Sequence, residues 1–322
     1  MKKNLLLILG VVSAVVTLML MGNIIVIGEK LGEICHTPVV EYSFYILILL
    51  LALLFIIRPI IRVRNAPEFP LLSVDEDAQL KQLQDFGKRL ASNCYYIPDE
   101  DVRKDHQMLL MRDLQLYSSD REQLRDVLAK EIARRFEGDD AMGVLGINKR
   151  IVQWGKNVFM VTAVSQNSFL DSAAVMVMNY KLIEDLVLST GFRPTRPQMA
   201  RLYVRVLSTS LISYLTSQVM TEMDISPELG GEDLAGMKIP GLMAESALQG
   251  AVNALMTMRI GYVTRTYLQE GPQALTGVQN KRKVRLEAIK AAFKSLPSIV
   301  AGSASTLGKG VTGLVARMVG KE

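Results

Sequence analysis

A glycine-rich segment near the end of the chain comes nearest to a residue pattern with known chemistry. A P-loop holds nucleotide phosphates and needs four residues between its first glycine and a Gly-Lys pair, which Ser or Thr then follows. Residues 302–310 read GSASTLGKG, so five residues intervene and Gly310 stands where the hydroxyl residue should be. No strand pattern precedes the segment. We therefore do not predict a nucleotide site here.

Other catalytic and metal-binding patterns are weak. The chain has two histidines, His36 and His106, and two cysteines, Cys35 and Cys94, which are too few for a metal cluster of His and Cys or for a disulfide framework. Acidic groups stand at expected helix ends, where capping and the helix dipole explain them. The sequence therefore predicts that the protein is not an enzyme, with no catalytic residue, no cofactor and no metal ion.

Four arginines form the most distinctive charge feature of the middle of the chain. No acidic residue occurs between Asp185 and Glu222, so these arginines have no partner nearby in the sequence: Arg193, Arg196, Arg201 and Arg205. The last two lie four residues apart and share a helix face. They form a solvated face or pair with acids of residues 75–143, or else they dock an acidic protein or lipid phosphate.

A second basic region follows residue 271. Residues 271–322 carry nine basic and two acidic side chains, within a chain whose net charge is +5. Each Lys or Arg near an anionic membrane surface contributes about 1 kcal/mol to binding. We do not expect nucleic acid as a partner, because the basic residues come with no matching fold motif or aromatic platform. Together with Arg259, the candidate residues for docking a partner or lipid in this region are Lys281, Arg282, Lys283 and Arg285.

The first 64 residues predict a transmembrane hairpin. Positions 4–28 and 42–57 carry no charge, and a membrane-spanning helix needs about 20 apolar residues. Basic residues lie before the first span and after the second, whereas the connection between them is mainly acidic. Because Lys and Arg near membrane ends stay in the cytoplasm, both termini should be cytoplasmic. A cleaved signal peptide is less consistent, since the apolar run is too long and a second one follows it.

The rest of the chain predicts only helices, so the fold class is all-α: a two-helix N-terminal transmembrane hairpin plus a cytoplasmic helical domain. Residues 65–145 should be an extended linker followed by charged amphipathic helices, at 78–93 and at 99–136 with a break that Ser118 or Ser119 caps. Residues 150–270 should form the helical domain, with helices at 158–188, from Pro197 to 223 and from Pro240 to 268. Residues 271–322 form the basic tail, with a helix at 281–295. Whether the helices after residue 150 lie in water or enter the membrane stays open at this point.

Two segments resemble a known family. They read TGFRP at residues 190–194 and GAVNALMTMRIGY at residues 250–262. With the two N-terminal spans, they resemble the YcjF-like family of bacterial inner-membrane proteins, whose uncharacterised domain occurs beside, or fused to, GTPase-type P-loop proteins. Some members of that family are linked to envelope stress. The family offers no catalytic residues to carry over, and the basic tail after Gly271 departs from its pattern.

The resemblance implies a non-enzymatic adaptor at the bacterial inner membrane that recruits or regulates a P-loop GTPase. The alternative is a structural protein that binds or remodels the membrane through its basic tail. Membrane lipid, a GTPase and further copies of the same chain are the expected partners. The small residues Gly250, Ala254 and Gly261 should let a neighbouring helix pack closely, and Arg259 should then need a carboxylate, for which Glu245, Asp171 and Glu184 are candidates.

Overall fold

Helices dominate the computed structural model of the chain. It describes residues 2–68, 79–164, 168–219 and 243–271, together with positions 283, 287, 288, 290–292, 294 and 295. Within these ranges the only strands are two residues long each, Gly138–Asp139 (β1) and Val144–Leu145 (β2), paired antiparallel. The all-α prediction is confirmed for the described residues.

The N-terminal region consists of two long antiparallel helices. The first is α1 (Lys2–Cys35), and the second is a continuous helix made of α2 (Pro38–Ala52), a π-helical turn (Leu53–Ile57) and α3 (Arg58–Asn65). Thr37 caps α2 by accepting from the backbone N–H of Val39 at 3.2 Å. Tyr45 packs against Gly28, and its hydroxyl donates to the carbonyl of Ile25 at 3.3 Å, which fixes the pairing of the two helices.

One described helix is long and apolar enough to cross a membrane, the continuous helix of residues 38–65. Most of its large apolar side chains are exposed, as are several on α1. This outward-facing apolar surface is what a helix in lipid presents. The C-terminal end of this helix is different: Pro59 and Val63 are buried, and α3 packs against the helical domain.

Three charged helices form the connector between the membrane region and the helical domain: α4 (Leu80–Ala91), α5 (Glu100–Leu116) and α6 (Arg121–Glu137). Each has an apolar face directed at the core, through residues such as Leu83, Leu110 and Leu124. The break predicted between α5 and α6 is confirmed, but the predicted cap is wrong. Asp120 caps α6 by accepting from two backbone N–H groups, because an N-cap carboxylate one residue before the helix reaches them directly.

The helical domain contains α7 (Ile147–Val164), α8 (Ser168–Thr190), α9 (Arg196–Val219) and α10 (Met243–Glu270). The prediction of one helix over 158–188 is wrong, since α7 ends at Val164 and α8 begins at Ser168. A signal was available, because residues 165–168 read SQNS and such a cluster of polar residues within an apolar pattern favours a break. The segment 297–319 and part of the predicted 281–295 helix lie outside the described residues.

A single apolar core joins all three regions. It runs from Val63 of α3 through the connector to Met258 of α10 and to Ala288 and Ala292 beyond it. Leu20 of α1 and Ile56 of the π-helical turn also pack against this core. The two N-terminal helices and the domain therefore share one packing unit.

Candidate functional site

The turn between α8 and α9, residues 190–194, is the point where the three regions meet. Thr190 is fully buried, and its hydroxyl lies within hydrogen-bond distance of the carbonyls of Leu186 and Phe192, at 3.0 and 3.1 Å. Phe192 is also buried and packs against Phe86 of α4 and Phe136 of α6, with ring centroids 6.1 and 6.5 Å apart. We call residues 190–194 the junction turn.

Gly191 in the junction turn has a residue-specific role. Its φ of +85° is in the left-handed region, which residues other than glycine rarely adopt. A Cβ at this position would lie 2.6 Å from Nη1 of Arg135, so a side chain would collide with that guanidinium. The glycine therefore allows the arginine of α6 to reach the end of α8.

Arg193 holds the linker that follows the helix of residues 38–65. Its backbone N–H donates to the carbonyl of Pro67 at 2.8 Å, and its guanidinium donates to the carbonyl of Ala66 at 3.1 Å. The same guanidinium pairs with Glu68 at 3.2 Å. The linker at Ala66 is extended, as the following proline predicts. The sequence analysis did not find this acidic partner, because Glu68 lies far from Arg193 along the chain.

A buried polar cluster lies beside the junction turn. At its centre, Glu131 of α6 is 1% exposed and accepts hydrogen bonds from the hydroxyl of Tyr96 at 2.8 Å and from Nε of Arg135 at 2.8 Å. Nε2 of His106 lies 3.0 Å from the other carboxylate oxygen, and Arg134 donates to that oxygen at 3.3 Å. This carboxylate is therefore fully coordinated by donors.

Arg135 connects the polar cluster to both neighbouring elements. Its side chain is fully buried, donates to the carbonyl of Leu90 at 2.9 Å and to that of Thr190 at 3.4 Å, and stacks over Tyr96 at 4.3 Å. A planar guanidinium with five donors is suited to this bridging geometry. Arg135 thus links α4, α6 and α8 through one charge.

Electrostatics favour the ionised form of the cluster carboxylate. Burial by itself would raise the pKa of Glu131, but the hydrogen bond from His106 and the charge of Arg135 outweigh it and lower that pKa to about 2. Burial raises the pKa of the Cys94 thiol, against the smaller opposing effect of Arg135. The cluster therefore contains a stable buried ion pair next to a neutral thiol.

The same cluster contains three side chains of metal-binding types. The ligand atoms of Cys94, His106 and Glu131 lie within 4.8 Å of one another. They do not fit a metal ion, because the guanidinium of Arg135 contacts both the carboxylate and, at 3.8 Å, the sulfur of Cys94. A fixed positive charge opposes a dication, and a thiol with a raised pKa is a poor ligand. The cluster is a hydrogen-bonded network that joins helices.

An open cleft of about 1080 Å³ lies on the other side of the junction turn, between α4, α6, α7 and the end of α10. Its floor is apolar and includes Phe86, Phe136 and Phe192. Charged groups from α6 and from α7 and α10 form its rim: Glu122, Arg125, Asp126, Lys149 and Arg265. An apolar floor with a charged rim is the usual composition of a surface that accepts another chain.

The predicted docking arginines do not form one surface. Arg193 is largely buried in the junction turn, whereas Arg196 is exposed. Arg201, Arg205 and Arg259 are half-buried. Glu184, one candidate partner for Arg259, pairs with Arg62 of α3 at 2.9 Å and with Lys181 at 3.0 Å. Of the tail residues, Lys283 is exposed and 3.9 Å from Glu287, whereas Lys281, Arg282 and Arg285 lie outside the described residues.

Sequence reasoning did not identify the residues of the buried polar cluster. One signal was available: Leu124, Leu128, Glu131 and Arg135 recur at helical spacing, so the two charges continue the apolar face of α6. A charged pair in that position predicts a buried ion pair. The partners from other helices had no such signal, because only the fold brings Tyr96 and His106 to the same place.

The small-residue segment of α10 behaves as its composition predicts. A Cβ on Gly250 would lie 2.9 Å from Cβ of Ala163, and one on Gly261 would lie 2.9 Å from Ile151 and 3.3 Å from Leu182. The two glycines therefore let α10 pack tightly against α7 and α8. Ala254 between them is fully buried.

Comparison with known families gives a match that covers this helical domain and continues past Glu270 into the basic tail. Residues 146–295 match the family model of DUF697, a domain of unknown function. This uncharacterised domain is known from GTPase-associated proteins. The match begins one residue before α7 and includes the junction turn and the small-residue segment of α10. No curated protein and no solved structure matches the chain.

Proposed function

We propose that this protein is a non-enzymatic adaptor of the YcjF-like type, which holds a DUF697 domain at the bacterial inner membrane and recruits or regulates a P-loop GTPase there. In this proposal α1 and residues 38–65 both span the membrane, with both termini in the cytoplasm. The basic ends and the acidic connection of Glu29, Glu33 and Glu41 support that orientation.

The observation that carries the proposal is the physical continuity from the membrane helix to the cleft. Arg62 at the end of the membrane helix binds Glu184 of the DUF697 domain at 2.9 Å, and Arg193 fixes the linker that follows. Phe192, next to Arg193, forms part of the cleft floor. A partner bound in the cleft would therefore be held at a defined position relative to the membrane.

The occurrence of DUF697 in GTPase-associated proteins supports the choice of partner. The cleft offers apolar side chains for burial and charges of both signs for orientation, which suits a protein surface better than a small polar substrate. A role in envelope stress and assembly into oligomers are part of the same proposal through the family resemblance.

Crosslinking in intact bacterial cells, followed by extraction in mild detergent, tests the adaptor function. A P-loop GTPase should be recovered in stoichiometric amount with the wild-type protein. Ala129 is exposed and lines the cleft, so A129W should fill the cleft without disturbing the core and should abolish recovery. K130W is the matched control, because Lys130 is the next residue of α6, is exposed, and is not among the residues that line the cleft.

Two outcomes would contradict the proposal. If no P-loop GTPase is recovered with the wild-type protein, the adaptor function is wrong. If A129W and K130W recover the GTPase equally well, the cleft is not its docking site.

A membrane-binding structural role is the second candidate function. Its support is the described part of the basic tail, where Lys283, Lys290 and Lys294 are exposed while Ala288 and Ala292 are buried against the core. Lysines presented on one side of a docked helix suit anionic headgroups. This candidate predicts that the full chain deforms vesicles containing anionic lipid, and that charge reversal of the three lysines prevents it.

A further inference from the structure

The position of the DUF697 domain along the membrane helix follows from pairs of contacting residues, because α8 runs parallel to residues 38–65. Nζ of Lys181 lies 6.0 Å from the ring centroid of Phe55, and Arg62 bonds Glu184 at a sequence offset of 122. Further along, Arg193 donates a hydrogen bond to the carbonyl of Ala66, which lies 127 residues earlier in the chain. The part of α8 before Lys181 therefore lies level with the predicted span at 42–57.

The end of α7 reaches the same level. α7 and α8 form an antiparallel pair, in which Trp154 donates to Asp185 at 3.0 Å. Arg150 also pairs with Asp185, and together these two contacts set Val161 level with positions 174–178 of α8. Applying the offset of 122 to 127 residues places Val161 at the level of positions 47–56 of the membrane helix.

The charge distribution marks a boundary at this level. Between Lys156 of α7 and Lys181 of α8, the only charged residue is Asp171. Asp171 is 1% exposed and accepts from Gln249 at 2.8 Å. Val161, in contrast, is 42% exposed. Among the described residues at this level, the charge of Asp171 is therefore inside and the apolar side chain of Val161 is outside.

The interior at this level contains buried polar side chains beside the apolar core residues Met176, Ala254 and Met258. Gln249 of α10 pairs with Asp171 at an offset of 78 residues, and Gly261 packs against Leu182, so α8 and α10 are parallel. This register sets Asn179 level with Thr257, and both are fully buried. Polar side chains in the bundle interior, with apolar ones outside, are typical of helices in lipid.

We infer that the C-terminal part of α7 in the DUF697 domain is immersed in the cytoplasmic leaflet, where Val161 contacts lipid acyl chains. The inference rests on the membrane anchor of the proposed function. From Lys156 to the end of α7 at Val164 the helix rises about 12 Å. That is close to the thickness of one leaflet of a hydrocarbon core of about 30 Å.

Lipid is favoured over water by continuity with the membrane helix. The core of the domain contacts Leu20 and Ile56, which both lie within the predicted spans. No bilayer can surround those spans on the side where the domain already covers them. The domain surface next to Ile56 must therefore face the lipid that the membrane helix would otherwise contact there.

Spin-label accessibility in the full-length protein tests this immersion. Single cysteines in a C35S background would carry a nitroxide, and the protein would be reconstituted in vesicles of phosphatidylethanolamine and phosphatidylglycerol. Oxygen concentrates in the bilayer and a nickel chelate stays in water, so the ratio of their effects reports depth. The four positions are Leu47 of α2 for lipid, Leu116 of α5 for water, Val161, and Asn157 as its neighbour one turn away on the same face.

Immersion predicts that V161C gives an oxygen-to-nickel ratio close to that of L47C. It also predicts that N157C reports a position about 6 Å shallower than V161C, since four helical residues separate the two. Because Cys94 is buried, the C35S parent alone should take up little label and supplies the blank.

The inference is overturned if V161C gives the same ratio as L116C while L47C reports lipid. If L47C also reports water, the membrane anchor fails and the proposed function fails with it. A second measurement guards against faulty reconstitution: in inverted membrane vesicles, a hydrophilic maleimide should modify N157C readily and V161C only after dissolution in detergent. Equal modification of both cysteines before dissolution would likewise refute the immersion.

Discussion

Replacing Arg135 with Met should be among the most destabilising single changes in this protein. The change keeps an unbranched apolar stem but removes the guanidinium, so Glu131 keeps a buried carboxylate without the buried cation that donates to it at 2.8 Å. The carbonyl of Leu90 also loses its donor. Breaking a buried ion pair by removing one partner costs about 3–5 kcal/mol. We therefore expect R135M to lower the free energy of unfolding by that amount.

The measurement is denaturant unfolding of the full-length protein in mild detergent. Trp154 is the only tryptophan of the chain and bonds Asp185 close to the junction turn, so its fluorescence reports this region. R134M is the matched control. Arg134 is 34% exposed and contacts the same carboxylate at 3.3 Å, and its loss should cost about 1 kcal/mol or less.

A double-mutant cycle separates the ion pair from general packing. If the pair is the cause, E131Q should cost less in the R135M background than in the wild type, since the buried charge is then removed together with its partner. The reasoning is refuted if R135M and R134M cost the same, or if E131Q and R135M are additive.

The remaining predictions concern the same network and the helix contacts around it. The pKa of Glu131 is about 2 in the folded protein, against an ordinary 4.5, so its stabilising contribution of about 3 kcal/mol is present above pH 4.5 and is lost as the pH falls towards 2. E131Q should remove this part of the acid dependence in unfolding titrations. G191A should lower the thermal unfolding midpoint, because its Cβ meets Arg135 and its φ is strained; an unchanged midpoint would contradict the role of the glycine. G250V should destabilise the domain by about 1–3 kcal/mol through overpacking, whereas G22V, at a glycine with nothing within 4 Å, should not.

The predictions from sequence were most accurate for the helices that alternate apolar and charged residues. In α4, α5 and α6, the apolar residues recur with helical spacing and recognisable breaks separate the helices, so bounds followed within a few residues. The helical domain was harder to divide. Its apolar residues face other helices on most sides, so α7 and α8 were predicted as one helix and the polar residues 165–168 were not taken as a break.

The candidate site was predictable only in part. The TGFRP and small-residue segments were recognised by resemblance, and their sequences contain the glycines that the fold requires. Their roles depended on partners from distant segments: Arg135 for Gly191, and Glu68 for Arg193. The expectation that Arg193 has no acid nearby in the sequence was correct, but it did not exclude an acid brought near by folding.

The sequence by itself determined the helical class, the apolar stretches long enough for a membrane, and the distribution of charge along the chain, because these depend on local composition and periodicity. Only the tertiary structure decided which charges meet. It buried Glu131 with Arg135, joined Arg62 to Glu184, and set α8 parallel to the helix of residues 38–65. The physical reason is that an ion pair and the alignment of two helices are properties of relative position, and helix packing fixes that position through contacts between residues far apart in the chain.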